Sequence, residues 1–185
     1  MSGTKVYEDT VTADQPKDVS ALFADAKTQS GGVEVKAETA AGSLTIAFDA
    51  SAVGAIGGND VTLKANLVEN SAQVSDAELV IEVTLAGATF SEGKAKVTVP
   101  FAKSVPEDKV LKVYFINGDQ RQDMNASLVD GNVVFETDHF STYAVVFEDA
   151  PSDSGGKFPI AIVIVGAVAA VAVIGAAAVF FLRKS

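Results

Sequence analysis

The chain has 185 residues, 24 Asp and Glu against 14 Lys and Arg, a formal net charge of −10, and no cysteine. That balance argues against nucleic acid and anionic lipid head groups as partners of its polar part, and the missing cysteines exclude disulfides and thiolate metal sites. The size suits one domain or two small ones with a real core.

Residues 1–12 are polar, with Val6 and Val11 placed around Tyr7, and read as an edge strand or a frayed end. The best helix signal of the polar part covers about residues 16–29. Pro16 suits a first turn, Asp14 or Asp18 suits the positive end of the helix dipole, and Val19, Leu22, Phe23 and Ala26 fall on one face. Gly31-Gly32 is expected to stop it.

From Val33 the apolar period changes to two. The runs VEVKAE, SLTIAF, VTLKANLV, ELVIEVTL, KAKVTVPF, VLKVYFI, NVVFET and YAVVF read as strands. A short helical turn is expected at 49–56. Asn117-Gly118 and Asp130-Gly131 are hairpin signals, because tight turns need positive φ. Many short strands at this spacing predict an antiparallel β-sandwich over residues 31–149, preceded by an N-terminal segment, 1–30, that carries the short helix.

Residues 150–157, APSDSGGK, read as a short flexible linker. From Ile160 to Leu182 run 23 residues without a charge, Pro, Asn or Gln. As a helix this stretch spans about 34 Å, enough to cross a ~30 Å hydrocarbon core. A buried core helix would be amphipathic, and this stretch is apolar all round. We therefore expect a C-terminal transmembrane α-helix at 158–182, contacting lipid through 160–182, and a tail at 183–185. The flank before it holds Glu148, Asp149, Asp153 and Lys157, and the flank after it holds Arg183 and Lys184. The positive-inside rule then places the tail in the cytoplasm and the N-terminal domain outside the cell, in a single-pass cell-membrane protein. Met1-Ser-Gly-Thr is not a signal peptide, so the expectation is a fragment lacking its leader. A tail-anchored intracellular protein is the alternative. Gly166 and Ala170 have the small-xxx-small spacing of a helix-packing face, which would allow a homo-oligomer through the membrane helix.

FDASAVGAIGGNDVTLKANLV, KAKVTVPFA and LKVYFINGDQRQDMNASLVDGNVVFETDHFSTYAVVFED together resemble a module near the C-termini of large bacterial and archaeal cell-surface proteins, of the kind that often also carry S-layer-homology modules. The family pattern appears at Asp49 to Ile56, Val97 to Phe101, Val113 to Gly118 and Thr137 to Val145, within residues 31–148. Its closing Thr-x-His-Phe-Ser-x-Tyr-Ala-Val is the most specific part. The Phe-Gly-Gly turn common in the family is replaced by Ala-Thr-Phe-Ser-Glu-Gly. The resemblance implies an extracytoplasmic, non-catalytic module next to an anchor and supplies no ligand.

The chemistry is sparse. His139 is the only histidine. A set of His139, Asp138 and Ser141 is disfavoured, because neighbours in an extended chain point to opposite faces. The reading is a structural closing motif, His139, Phe140 and Tyr143, that fixes how the chain enters its last strand. Asn117, Asp119, Asp123 and Asn125 superficially suggest a calcium loop but lack the central Gly and the distal Glu. No catalytic residue, cofactor site or metal site is expected. Asn125-Ala126-Ser127 is a glycosylation sequon. In the last strand Tyr143, Val145 and Phe147 are expected to face the core, with Ala144 and Val146 on the other side and Phe140 packed in the corner.

The functional expectation is a non-catalytic, membrane-tethered surface module with structural, adhesion or interaction roles, meeting a protein or glycan partner at the cell surface. The alternative is the membrane-anchoring C-terminal fragment of a larger secreted enzyme or binding protein.

Overall fold

A computed structural model describes residues 6–56, 60–88 and 92–151. The chain is mainly β. Its strands are β1 (Val6–Thr12), β2 (Lys17–Asp18), β3 (Gly32–Thr39), β4 (Gly42–Phe48), β5 (Thr62–Val68), β6 (Ala77–Ala86), β7 (Ala95–Pro100), β8 (Lys109–Asn117), β9 (Gln120–Asp123), β10 (Ser127–Val129), β11 (Asn132–Thr137) and β12 (Thr142–Asp149). They form two six-stranded sheets, ordered β1-β3-β4-β7-β11-β10 and β2-β5-β6-β12-β8-β9. All pairings are antiparallel except β1 with β3.

Period-two alternation turns one row of each sheet inward. Val35, Ile46, Val97 and Phe135 of the first sheet and Leu63, Ile81, Val113 and Tyr143 of the second belong to one buried cluster. The eight runs read from the sequence are β3 to β8, β11 and β12. Residues 6–12 are an edge strand, as one of the two readings had it.

The first helix, α1 (Ser20–Thr28), is shorter than expected. Pro16 lies outside it, because β2 captures the intervening residues: Lys17 pairs with Leu63, and the Val19 amide donates to the Val61 carbonyl at 2.9 Å. Asp18 does serve the helix start, its Oδ1 accepting the Ser20 amide at 2.9 Å. The helix stop also differs. Ser30, at φ 49°, takes the left-handed position expected of a glycine. The Gly31 amide donates to the Ala26 carbonyl at 2.8 Å and the Ser30 amide to that of Lys27 at 3.2 Å, a Schellman closure.

The helical turn is α2 (Ala50–Ala55), capped by Asp49, whose Oδ1 accepts the Ala52 amide at 2.7 Å. The other Asp49 oxygen accepts the Lys94 amide at 3.2 Å, which ties α2 to the start of β7. Gly93 passes so close that a Cβ there would lie 2.2 Å from the Ala52 nitrogen, so only glycine fits.

β12 follows the expected alternation: Tyr143, Val145 and Phe147 turn to the main core, and Ala144 and Val146 turn the other way. It lies between β6 and β8, and both of its faces are buried. Ala144 and Val146 form a second apolar cluster with Val74 and Val80, against which Val68, Ala77, Tyr114 and Ile116 pack. Val74 belongs to the 69–76 connection, which crosses the outer side of the second sheet. The expected linker from residue 152, membrane helix, tail, and Gly166–Ala170 face lie outside the described residues. Among the described residues no helix is long and apolar enough to cross a membrane.

Candidate functional site

Three features converge where the chain passes from the second sheet to the first and back: the corner before β12, the β9–β10 crossover, and the free edge of β11. The corner is built on Thr137, the one buried polar residue among those described. Its hydroxyl lies 2.5 Å from the His139 carbonyl and 2.9 Å from the Tyr143 hydroxyl, which also donates to that carbonyl. The His139 amide reaches back to Thr137 Oγ1 at 3.2 Å. Burial pushes the Tyr143 hydroxyl up to about 12, so it stays protonated and available as a donor. Each bond runs to backbone or to a buried hydroxyl, so this network sets the chain's path into β12.

The His139 ring stands edge-on to Phe115 with centroids 4.5 Å apart. Its Nδ1 lies 2.6 Å from Asp138 Oδ1, and the ring holds the Asp138 carboxyl below its ordinary value of 3.8. Asp138 therefore does reach the ring, because the chain bends here and the alternation of an extended strand does not apply. Ser141 goes elsewhere: its carbonyl accepts the Val83 amide at 3.0 Å, and it lines a separate depression with Lys64, Asn66 and Glu82. The structure thus brings together His139 and Asp138 and leaves Ser141 out. Phe140 is half-buried, packs on the main core and meets Phe48 edge-on at 5.5 Å.

Beside this corner lies a groove of about 660 Å³. Its walls include Lys94 and Lys96 of the first sheet, Met124 and Asn125 of the crossover, and Glu136 and His139. The groove exists because β10 is short. β10 pairs with β11 only from Val129↔Asn132 to Ser127↔Val134. N-terminal to Ser127 the chain turns away: Asn125 sits at φ 51°, and the Met124 amide donates to the Val113 carbonyl of β8 at 2.9 Å. Phe135, Glu136 and Thr137 consequently have a strand partner on the β7 side only, with no strand of the described residues opposite.

Asn125 is exposed at the rim of this groove, its amide held by Asp123 Oδ1 at 2.8 Å. Asp123 in turn meets Lys112 at 2.6 Å, and this cation holds its carboxyl below 3.8. The residues once compared with a calcium loop are a hairpin, with Gly118 at φ 58° in the turn between β8 and β9. Among the described residues no group of three or more His, Cys, Asp or Glu could hold a metal ion.

Sequence reasoning located the corner but missed the groove. No sequence period marks it, because the arm before Asp130-Gly131 has only three strand residues while the arm after it has six, and half of the longer arm is left without a hairpin partner. No family model matches the sequence, no curated protein matches it, and no solved structure matches the fold.

Proposed function

We propose that the chain is a non-catalytic, single-pass membrane protein whose antiparallel β-sandwich module stands outside the cell and serves structural, adhesion or interaction roles. The observation that carries this reading is the uncharged run from Ile160 to Leu182, closed by Arg183 and Lys184. Its length fits a bilayer, and the basic pair fits a cytoplasmic end. The module in front of it is acidic, with 23 Asp and Glu against 11 Lys and Arg over residues 1–150, as suits a solvated exterior. In the closing motif, Thr137, His139 and Tyr143 spend their hydrogen bonds on the backbone path, which supports a structural role for it. This is the role that the resemblance to surface-protein modules implies.

The test uses the absence of native cysteine. Asp153→Cys and Ser185→Cys are made separately in the full chain and exposed to a membrane-impermeant maleimide on intact cells. Labelling of Asp153→Cys, and of Ser185→Cys only after permeabilisation, is the expected result. Labelling of Ser185→Cys alone, or recovery of the chain in the soluble fraction, would overturn the reading.

A further inference from the structure

We propose that the free edge of β11 at Glu136 is a peptide-binding site, which takes an extended segment of apolar-basic-apolar pattern as an added strand in line with β10. The backbone supplies the first argument. Asp130 and Gly131 have φ of 49° and 76°, a two-residue type I′ turn, so the flanking pair Val129 and Asn132 exchanges both hydrogen bonds. Residues directly opposite in an antiparallel pair alternate between bonded and non-bonded sites. Asn132, Val134 and Glu136 therefore aim N–H and C=O toward the β10 side. For Asn132 and Val134 β10 is there, whereas at Glu136 it has already turned away at Asn125. One donor and one acceptor thus face the groove, which is the requirement for strand addition.

The opposite edge of the same sheet shows what a protected edge looks like. β1 turns a charged residue, Asp9, toward the inner side, and Lys17 Nζ binds both Asp9 Oδ1 at 2.5 Å and the Thr10 carbonyl at 2.8 Å. Inward charge and an occupied edge carbonyl are devices that block pairing. Among the described residues the β11 notch has neither. Its β10 rim carries Leu128, one of the two exposed large hydrophobics among the described residues, at 46% exposure.

The side chains supply the ligand's chemistry. A residue placed opposite Glu136 projects to the same outer face as Glu136. Its charged neighbours on that face are Glu136, directly across, and Asp138, two positions along, with Lys94 beside both carboxylates from the β7 side. Lys96 lies one strand further away, opposite Glu136 on β7. Among the described residues Glu136 is held by a single exposed contact, with Lys94 at 3.3 Å, which a better-placed cation can displace. Opposite charges directly across a ladder attract and like charges repel, so this position calls for Lys or Arg. The residues on either side of it point inward, toward Met124 and the Phe135 end of the core, and call for apolar side chains.

The experiment titrates Thr-Val-Lys-Val-Thr-amide, carrying fluorescein on its N-terminus through a Gly-Gly spacer so that the Lys stays charged, with the detergent-solubilised full chain by fluorescence anisotropy. Saturable binding is expected, about tenfold weaker for the peptide with Glu in place of Lys, and lost when the central nitrogen is methylated. Glu136→Lys should reverse the charge preference. Glu136→Pro should abolish binding while the melting point stays near wild type, since its N–H faces the groove rather than β7. Should that variant misfold, the N-methylated peptide makes the same test on the native chain. Equal binding of the methylated peptide, equal binding of the Glu peptide, competition by an uncharged oligosaccharide alone, or no saturation at millimolar peptide would each overturn the proposal.

Discussion

The two sides of β12 are buried by different means. On its inner side Tyr143 and Val145 meet a core to which both sheets contribute, with Phe135 and Phe115 stacked within reach of the Tyr143 ring at 4.9 and 6.1 Å. On its outer side Ala144 and Val146 sit among Val80, Tyr114 and Ile116 of the neighbouring strands, and Val74 is the buried residue that the 69–76 connection brings to them. That connection is held at its far end by Arg121, whose two terminal nitrogens meet the Asp76 carboxylate at 2.6 and 2.7 Å. The inner side is fixed by topology, because removing it means separating the sheets. The outer side is fixed by a local loop and an exposed ion pair, so it should open at far lower cost than global unfolding.

The largest expected effect tests the inner side. Phe135 is 3% exposed and its ring lies tilted against that of Tyr143, so Phe135→Ala should destabilise the fold by about 3–5 kcal/mol. Thermal melts of the full chain in detergent, followed by near-ultraviolet circular dichroism of tyrosine, would measure it. A loss below about 1 kcal/mol would show that the two sheets do not share one cooperative core.

Phe140→Ala comes next. The sequence places this ring in the core-facing corner before β12. The ring is half-buried, with Phe48 as its edge-on partner at 5.5 Å, so a loss of about 2 kcal/mol is expected. The same melts check it. A value equal to that of Phe135→Ala would mean that the corner, and not the sheet interior, controls closure.

How much of this was legible depended on the range of the interaction. Strands whose outer face meets water, such as β5 with Leu63, Ala65 and Leu67 turned inward, announced themselves by alternation. β2 and β10 did not, because two or three residues carry no period; β2 is moreover placed by Leu63, far along the chain, whereas β10 is placed by β11 across the Asp130-Gly131 turn. The second cluster was illegible for a related reason: nothing in SAQVSD marks Val74 as the cover for Ala144 seventy residues later. The closing motif was legible as a structural corner. The contact of Asp138 with the His139 ring was not, because it depends on a bend that breaks the alternation rule. The groove follows from a difference in hairpin arm length, which shows only once the short β10 arm is placed by its pairing with β11.

Val74→Ala probes the outer side directly. It removes two methyl groups from a residue 5% exposed, and about 1–2 kcal/mol should be lost. The informative readout is amide hydrogen exchange. Amides of 69–76 should exchange faster, while those of β11 keep the protection of the wild type once the global loss is subtracted. Equal acceleration in both would dissolve the distinction between the two sides.

The smallest effect separates the clasp from the apolar cover it holds. Asp76 and Arg121 are 55% and 40% exposed, so screening by water limits Arg121→Ala to about 0.5–1 kcal/mol. The hydrogen bond from Arg121 holds the Asp76 carboxyl below its ordinary 3.8. A depressed folded-state value means that the contribution is present above the unfolded carboxyl's titration and is lost as pH falls through the folded one. The melting difference between the wild type and Arg121→Ala should therefore be constant from neutral pH down to about 5 and shrink toward zero well below 3.8. Arg121→Lys should recover only part of it, because an ammonium cannot make both parallel contacts that the guanidinium makes. If the difference persists unchanged in acid, Arg121 supports the 69–76 connection through the packing of its stem over the sheet and not through its charge, and the outer side of β12 is then held by apolar contact alone.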